Sequence, residues 1–190
     1  TIIPVMEMFK FGETRLKLPI HAYNFTSSAN IKKKAHVLII GGVHGDEPEG
    51  VVAARCLLEI FRAKFTLDLN VTLVPEFNPE GVLLSTRGNS NKVDLNRNLP
   101  TKDWSPIAAT ERYNPGPSAL SEKENQALIS WLKTTNPDLI ISLHSWKPML
   151  NTNGNIPEAQ IIAKHTGYVI EPDIGYPTPG SLGTFAGLES

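Results

Sequence analysis

The chain has 190 residues, 41% of them hydrophobic and 19% charged, with 18 basic against 19 acidic side chains and a net charge of −1. That composition excludes a wholly disordered chain, and the charge balance gives no global pull towards nucleic acid or an anionic membrane. A chain of this length can bury about 70% of its surface, so its core needs neither disulfides nor a structural metal.

No apolar run approaches the roughly 20 residues of a membrane-spanning helix. There is no signal-peptide pattern, although Thr1 is not an initiator and leaves room for a removed leader. The single cysteine, Cys56, has no internal disulfide partner; it suits a cytoplasmic protein and is expected to be buried on an apolar helix.

In chain order, the first 35 residues predict one or two edge strands, with a hairpin as the simplest pairing. They end in Lys32-Lys33-Lys34, read as a solvated turn. The β-branched run His36–Gly41 predicts a buried strand. From Pro48 to about Lys64 the pattern is helical, with Val51, Ala54, Leu58, Phe61 and Phe65 three and four apart and Pro48 in the first turn. Val71–Pro75 predicts a second strand, and the long polar segment Asn78–Ala119 has little periodicity. Ser121 and Glu124 have capping-box spacing for a helix running to Thr135, and Asn136-Pro137 ends it. Asp138–Leu143 is a further buried strand, followed by a short helix over 157–166, a strand over 168–171 and a Gly/Pro-rich stretch, Gly175–Gly187. The fold class is α/β: one domain over 1–190, a three-layer α/β/α sandwich with a mixed, mostly parallel central sheet.

Chemistry concentrates at strand ends. Gly41-Gly42-Val43-His44-Gly45-Asp46-Glu47-Pro48 follows the first buried strand, where ligands bind in open α/β sheets. His44 and Glu47 sit three apart as loop becomes helix, and His144 ends the strand Leu139–Leu143. Any one of these histidines alone is as readily structural. Together, two His and one Glu at equivalent strand ends match an open zinc site with a fourth position for water.

In the polar segment, Arg87-Gly88-Asn89 precedes Val93-Asp94-Leu95-Asn96-Arg97-Asn98. An arginine fork with a neighbouring asparagine amide can hold a carboxylate, and a second arginine near a metal can polarise a carbonyl. Asp94 is placed to accept the ring N–H of a metal-bound histidine. Taken alone, the segment also reads as a solvated polar loop.

These motifs resemble the zinc carboxypeptidase family, in the family's order: His44-Gly45-Asp46-Glu47, then Asp94-Leu95-Asn96-Arg97-Asn98, then Leu143-His144-Ser145. The resemblance implies one Zn²⁺ held by His44, Glu47 and His144. It further implies a substrate carboxylate gripped by Asn96 and Arg97, and Arg87 over the scissile carbonyl. The stretches Asn78-Pro79-Glu80-Gly81 and Gly175–Gly183 are similar to the family's murein peptide amidase branch. This implies hydrolysis of a γ-D-glutamyl–diaminopimelate bond in a small cell-wall peptide, in the bacterial cytoplasm, with no nucleic-acid or membrane partner.

The family also uses a glutamate general base on a strand after the Gly/Pro-rich stretch. Glu189 stands in the wrong context for it, and Glu49, Glu76 and Glu80 do not match by position. The expectation is that the chain is truncated, that residues beyond Ser190 supply the base, and that these 190 residues alone are nearly inactive. Two alternatives stay open: a zinc acyl-amino-acid hydrolase of the aspartoacylase or succinylglutamate desuccinylase type, and a base-less zinc- or carboxylate-binding module. His21, His36 and His165 are expected to be surface or structural, Trp131 core, and Trp104, Trp146 and Tyr176 candidates for a pocket wall.

Overall fold

The computed structural model describes residues 5–26 and 34–188. The N-terminal residues form an antiparallel hairpin, β1 (Val5–Glu13) and β2 (Pro19–Thr26), irregular between Lys10 and Gly12. β3 (His36–Ile40), α1 (Pro48–Ala63) and β4 (Asn70–Val74) then make a parallel crossover. A short helix α2 (Pro79–Leu84) opens the polar segment. α3 (Lys123–Thr135) leads into β5 (Leu139–Ser142), and β6 (Met149–Asn151), α4 (Glu158–Thr166) and β7 (Val169–Glu171) complete the strands and α-helices of the described residues, ahead of a π-helical turn at Thr184–Leu188.

The main sheet has the order β1-β2-β4-β3-β5, and β6 pairs with β7 in a separate two-stranded sheet. Alternation along β3 builds two cores. Leu38 and Ile40 pack with Phe11, Ile20, Phe77 and α3's Leu128 and Ile129, while Val37 and Ile39 pack with Phe25, Phe65 and α1's Ala54 and Leu58. α1 and α3 therefore cover opposite faces, and the sandwich has three layers. The main sheet is mixed as expected, but its pairings divide evenly: β3 is parallel to β4 and β5, whereas the N-terminal hairpin adds the antiparallel β1–β2 and β2–β4.

Four local expectations need correction. Cys56 is exposed: it lies two residues beyond buried Ala54, roughly 200° round the helix, so it points away from the sheet. The capping box does not form. α3 starts at Lys123 with Glu122 as N-cap, Ser121 Oγ bonds Glu122 Oε1, and Glu124 turns inward towards Asn89. Lys34 is not solvated; Ala35 O accepts from Asn70 N, which brings Lys34 beside Asp68, 3.2 Å away, with the lysine side chain 9% exposed. Lys32 and Lys33 lie outside the described residues. Finally, β5 is not a buried strand: it lies at the end of the strand order with all four of its residues half-buried. The short strand β6 is an addition, since it carried no alternation signal in the sequence.

β3 is where the sheet changes direction of growth. The crossover through α1 goes to β4 on one side, and the chain through α3 reaches β5 on the other. A crevice opens at such a switch point beyond the carboxyl ends of the two strands. The turn after β3 and the end of β5 meet there, with Leu143 N donating to Ile40 O at 2.8 Å.

Candidate metal centre

The turn after β3 is held by close backbone packing. Gly42 takes φ +64°, and a Cβ on Gly45 would stand 1.9 Å from the carbonyl carbon of Gly81. Gly45 N also donates to Thr86 O at 2.9 Å. The Asn78-Pro79-Glu80-Gly81 stretch is thus a buttress. Asn78 caps α2 by accepting from Gly81 N at 2.9 Å, and Glu80 accepts from Leu16 N and Ser90 N, both at 3.1 Å.

On this support His44 and Glu47, both buried, converge with His144 from the end of β5. Glu47 Oε1 lies 2.9 Å from His44 Nδ1, Glu47 Oε2 lies 2.9 Å from His144 Nδ1, and the two Nδ1 atoms are 3.2 Å apart. Two ring nitrogens 3.2 Å apart and both facing one carboxylate can be reconciled by a ring N–H donated between them or by a cation that all three donors share. Donor atoms about 2.0–2.1 Å from a tetrahedral zinc are about 3.3 Å from one another, so these three sites suit such an ion with little movement. His144 is the solvent-facing member, its side chain 29% exposed.

Asp94, fully buried, stands behind His44: its Oδ1 is 2.9 Å from His44 Nε2 and also accepts Asn96 N at 2.9 Å. That contact directs His44 Nδ1 towards the centre. Burial pushes the Asp94 pKa up, but the His44 hydrogen bond and the charges of His44, Arg87 and Arg97 prevail and hold it at about 2. Burial likewise opposes charge on Glu47, yet hydrogen bonds from His144 and His44 keep its carboxylate far below the usual range. On His44, burial is outweighed by the hydrogen bonds to Asp94 and Glu47, which raise its pKa.

Arg87 joins the two carboxylates, with Nε donating to Asp94 Oδ2 at 2.8 Å and a terminal nitrogen to Glu47 Oε1 at 3.2 Å. Arg97 is buried beside it and donates to Asn96 O at 2.7 Å. Asn96 Oδ1 accepts Leu182 N at 2.9 Å, which leaves its NH₂ as the group able to meet a ligand. The Gly/Pro-rich stretch docks on this turn: Leu99 N donates to Gly180 O at 2.9 Å, and Gly180 N donates to Thr101 Oγ1 at 2.8 Å. Asn98 faces the protein, its amide donating to Pro115 O, Ser118 O and Ser121 Oγ.

Trp146 and Tyr176 meet edge-on at 5.9 Å, both exposed, while half-buried Trp104 lies against Gly180. His36 is structural, 2.8 Å from Thr72 Oγ1, and Trp131 packs against the core. Glu76 pairs with Arg55, and Glu189 lies outside the described residues. Two features were missed from sequence. Tyr113 carries both arginines on its ring, and Arg112 reaches Asp46 at 2.8 Å. Both lie in the aperiodic polar segment, where no spacing ties them to the strand-end motifs.

Comparison with known proteins agrees with this geometry. The family model described as zinc carboxypeptidase matches residues 4–159. Murein peptide amidase A of Vibrio campbellii is 29% identical over 186 residues, covering 92% of this chain and 72% of that protein. The Escherichia coli K12 protein of the same name is 30% identical over 159 residues, covering 78% of this chain and 64% of its own length. The crystal structure of the murein-tripeptide amidase from E. coli O157 superposes with a TM-score of 0.75 at 28% identity, over 93% of this chain and 76% of that one. An aspartoacylase family protein from Mesorhizobium loti, with a TM-score of 0.54 at 20% identity, shares the fold over 88% of this chain and 50% of its own. With its three-donor centre and both arginines inside the matched region, this chain belongs to the zinc carboxypeptidase family.

Proposed function

We propose that this chain is the catalytic domain of a zinc-dependent amidase that cleaves a peptide-type amide next to a free carboxylate. Its substrate is the γ-D-glutamyl–diaminopimelate bond of a murein tripeptide, in the bacterial cytoplasm. The observation that carries the reading is one cleft holding three metal donors within 4.8 Å of one another and two guanidinium groups beside them. The substrate class follows the likeness to murein peptide amidases.

His44, Glu47 and His144 would hold a zinc ion, which would supply Lewis acidity for activating water and polarising the scissile carbonyl. The chain's own residues do the rest. Asp94 holds His44 in the tautomer that keeps Nδ1 free for the ion. Arg97 and the Asn96 amide orient the substrate through its carboxylate. Arg87 offers donors to the carbonyl oxygen as negative charge develops on it. By likeness to the family, the base that takes the water's proton is a glutamate other than Glu189.

The test is hydrolysis of L-Ala-γ-D-Glu-meso-diaminopimelate by the full-length gene product, beside N-succinylglutamate and with or without chelator. Chelator-sensitive cleavage of the tripeptide alone is expected. Preference for succinylglutamate would establish the acyl-amino-acid hydrolase reading. Zinc binding with no turnover of either substrate would establish a binding module.

A further inference from the structure

Tyr113 lies at the end of a single helical turn, Glu111–Tyr113, and is half-buried. The guanidinium carbon of Arg87 lies 5.1 Å from its ring centroid and that of Arg97 lies 5.2 Å from it. Two cations in one cleft repel: burial first, and then the Arg87 charge, act against protonation of Arg97, while the Asp94 charge favours it. Asp94 and Glu47 already hold Arg87, and the aromatic face is attractive to both guanidinium groups, so a shared ring adds to that compensation and ties the two arginines to one surface.

The ring itself is held from both sides in sequence. Arg112 pairs with Asp46, the residue preceding Glu47, at 2.8 Å. Asn114 O accepts Asp94 N at 2.8 Å, and the Asn114 side chain donates to Lys92 O at 3.1 Å. Three consecutive residues thus reach the metal turn, the two arginines and the orienting aspartate.

We infer that Tyr113 is a positioning residue whose ring sets the separation between Arg87 and Arg97, and with it the distance between the scissile carbonyl and the substrate carboxylate. This rests on the proposed roles of the two arginines. It makes the aromatic face the acting group and the hydroxyl dispensable.

The test uses the full-length, zinc-loaded protein with Tyr113→Phe and Tyr113→Leu. The Phe variant keeps the ring; the Leu variant removes it. The Leu variant is expected to raise KM and lower kcat for the tripeptide by about threefold to tenfold each, with zinc affinity unchanged, while the Phe variant stays within about twofold of wild type. Side-chain NMR of Arg87 and Arg97 is expected to show ring-current upfield shifts in wild type and the Phe variant that vanish with Leu. Unchanged kinetics in the Leu variant, equal damage in the Phe variant, or arginine signals indifferent to the ring would overturn the inference. If the Leu variant does not fold, Tyr113→Gln is measured in its place. A wild type that cleaves no tripeptide would sink the functional reading instead, and the arginine signals would still decide the role of the ring.

Discussion

At the residue scale the division of labour between the two arginines is the sharpest consequence. Arg97 is buried, donating to Asn96 O and lying on the Tyr113 ring, so Arg97→Ala in the full-length protein is expected to raise KM about 10- to 100-fold for free-carboxylate substrates with a smaller change in kcat. Arg87 touches Glu47 and Asp94, and Arg87→Ala is expected to lower kcat about 10²–10³-fold. Steady-state kinetics with the tripeptide check both, and the opposite pattern would reverse the roles. Asp94→Asn keeps the shape but loses the charge facing His44, and should weaken zinc about 10- to 100-fold in a chelator competition. His44, Glu47 and His144 were legible in the sequence because each sits at a strand end beside recognisable glycine or serine punctuation. Tyr113 was not, because its partners are 26 and 16 positions away in a segment without periodicity, and cation–ring contacts leave no spacing signature.

At the scale of elements, the approach of the β3 turn to α2 is the tightest fit. Gly45→Ala would drive a methyl into the Gly81 backbone, so it is expected to destabilise the fold by about 1–3 kcal/mol in urea unfolding. The start of α3 gives a pH effect. Glu124 is fully buried; burial first, with the charges of Glu122 and Glu80 adding, raises its pKa from 4.5 to about 7. Between those values the unfolded chain has released this proton while the folded chain retains it, so stability falls as pH rises through the window. Glu124→Gln should remove that fall. The variant is expected to match wild type near pH 4 and to exceed it at pH 8 by up to about 3 kcal/mol, read from urea midpoints. A wild-type-minus-variant difference that does not change with pH would contradict this. The sequence placed α3 correctly but mistook Glu124 for a cap, since capping-box spacing records neither Asn89's position nor the depth of the site. Cys56 misled for a related reason: an apolar neighbourhood in sequence is not a face of the helix.

For the molecule as a whole, the order of β4, β3 and β5 brings together residues 100 positions apart, with β3 as the pivot. The three-layer plan followed from the strand–helix alternation, and the buried run His36–Ile40 located an inner strand, whereas the equally apolar run Leu139–Ser142 is half-buried at the end of the strand order. The even split of parallel and antiparallel pairings could not be read, because pairing partners depend on which edge the N-terminal hairpin joins. That topology makes a single demand on the chemistry: one divalent ion shared by both strand ends. Zinc content after equilibrium dialysis, measured by mass spectrometry on wild type, His44→Ala and His144→Ala, tests it most directly. The account expects close to one zinc per wild-type chain and loss of at least about 100-fold in affinity in either variant. Retention of wild-type zinc by both variants would contradict it.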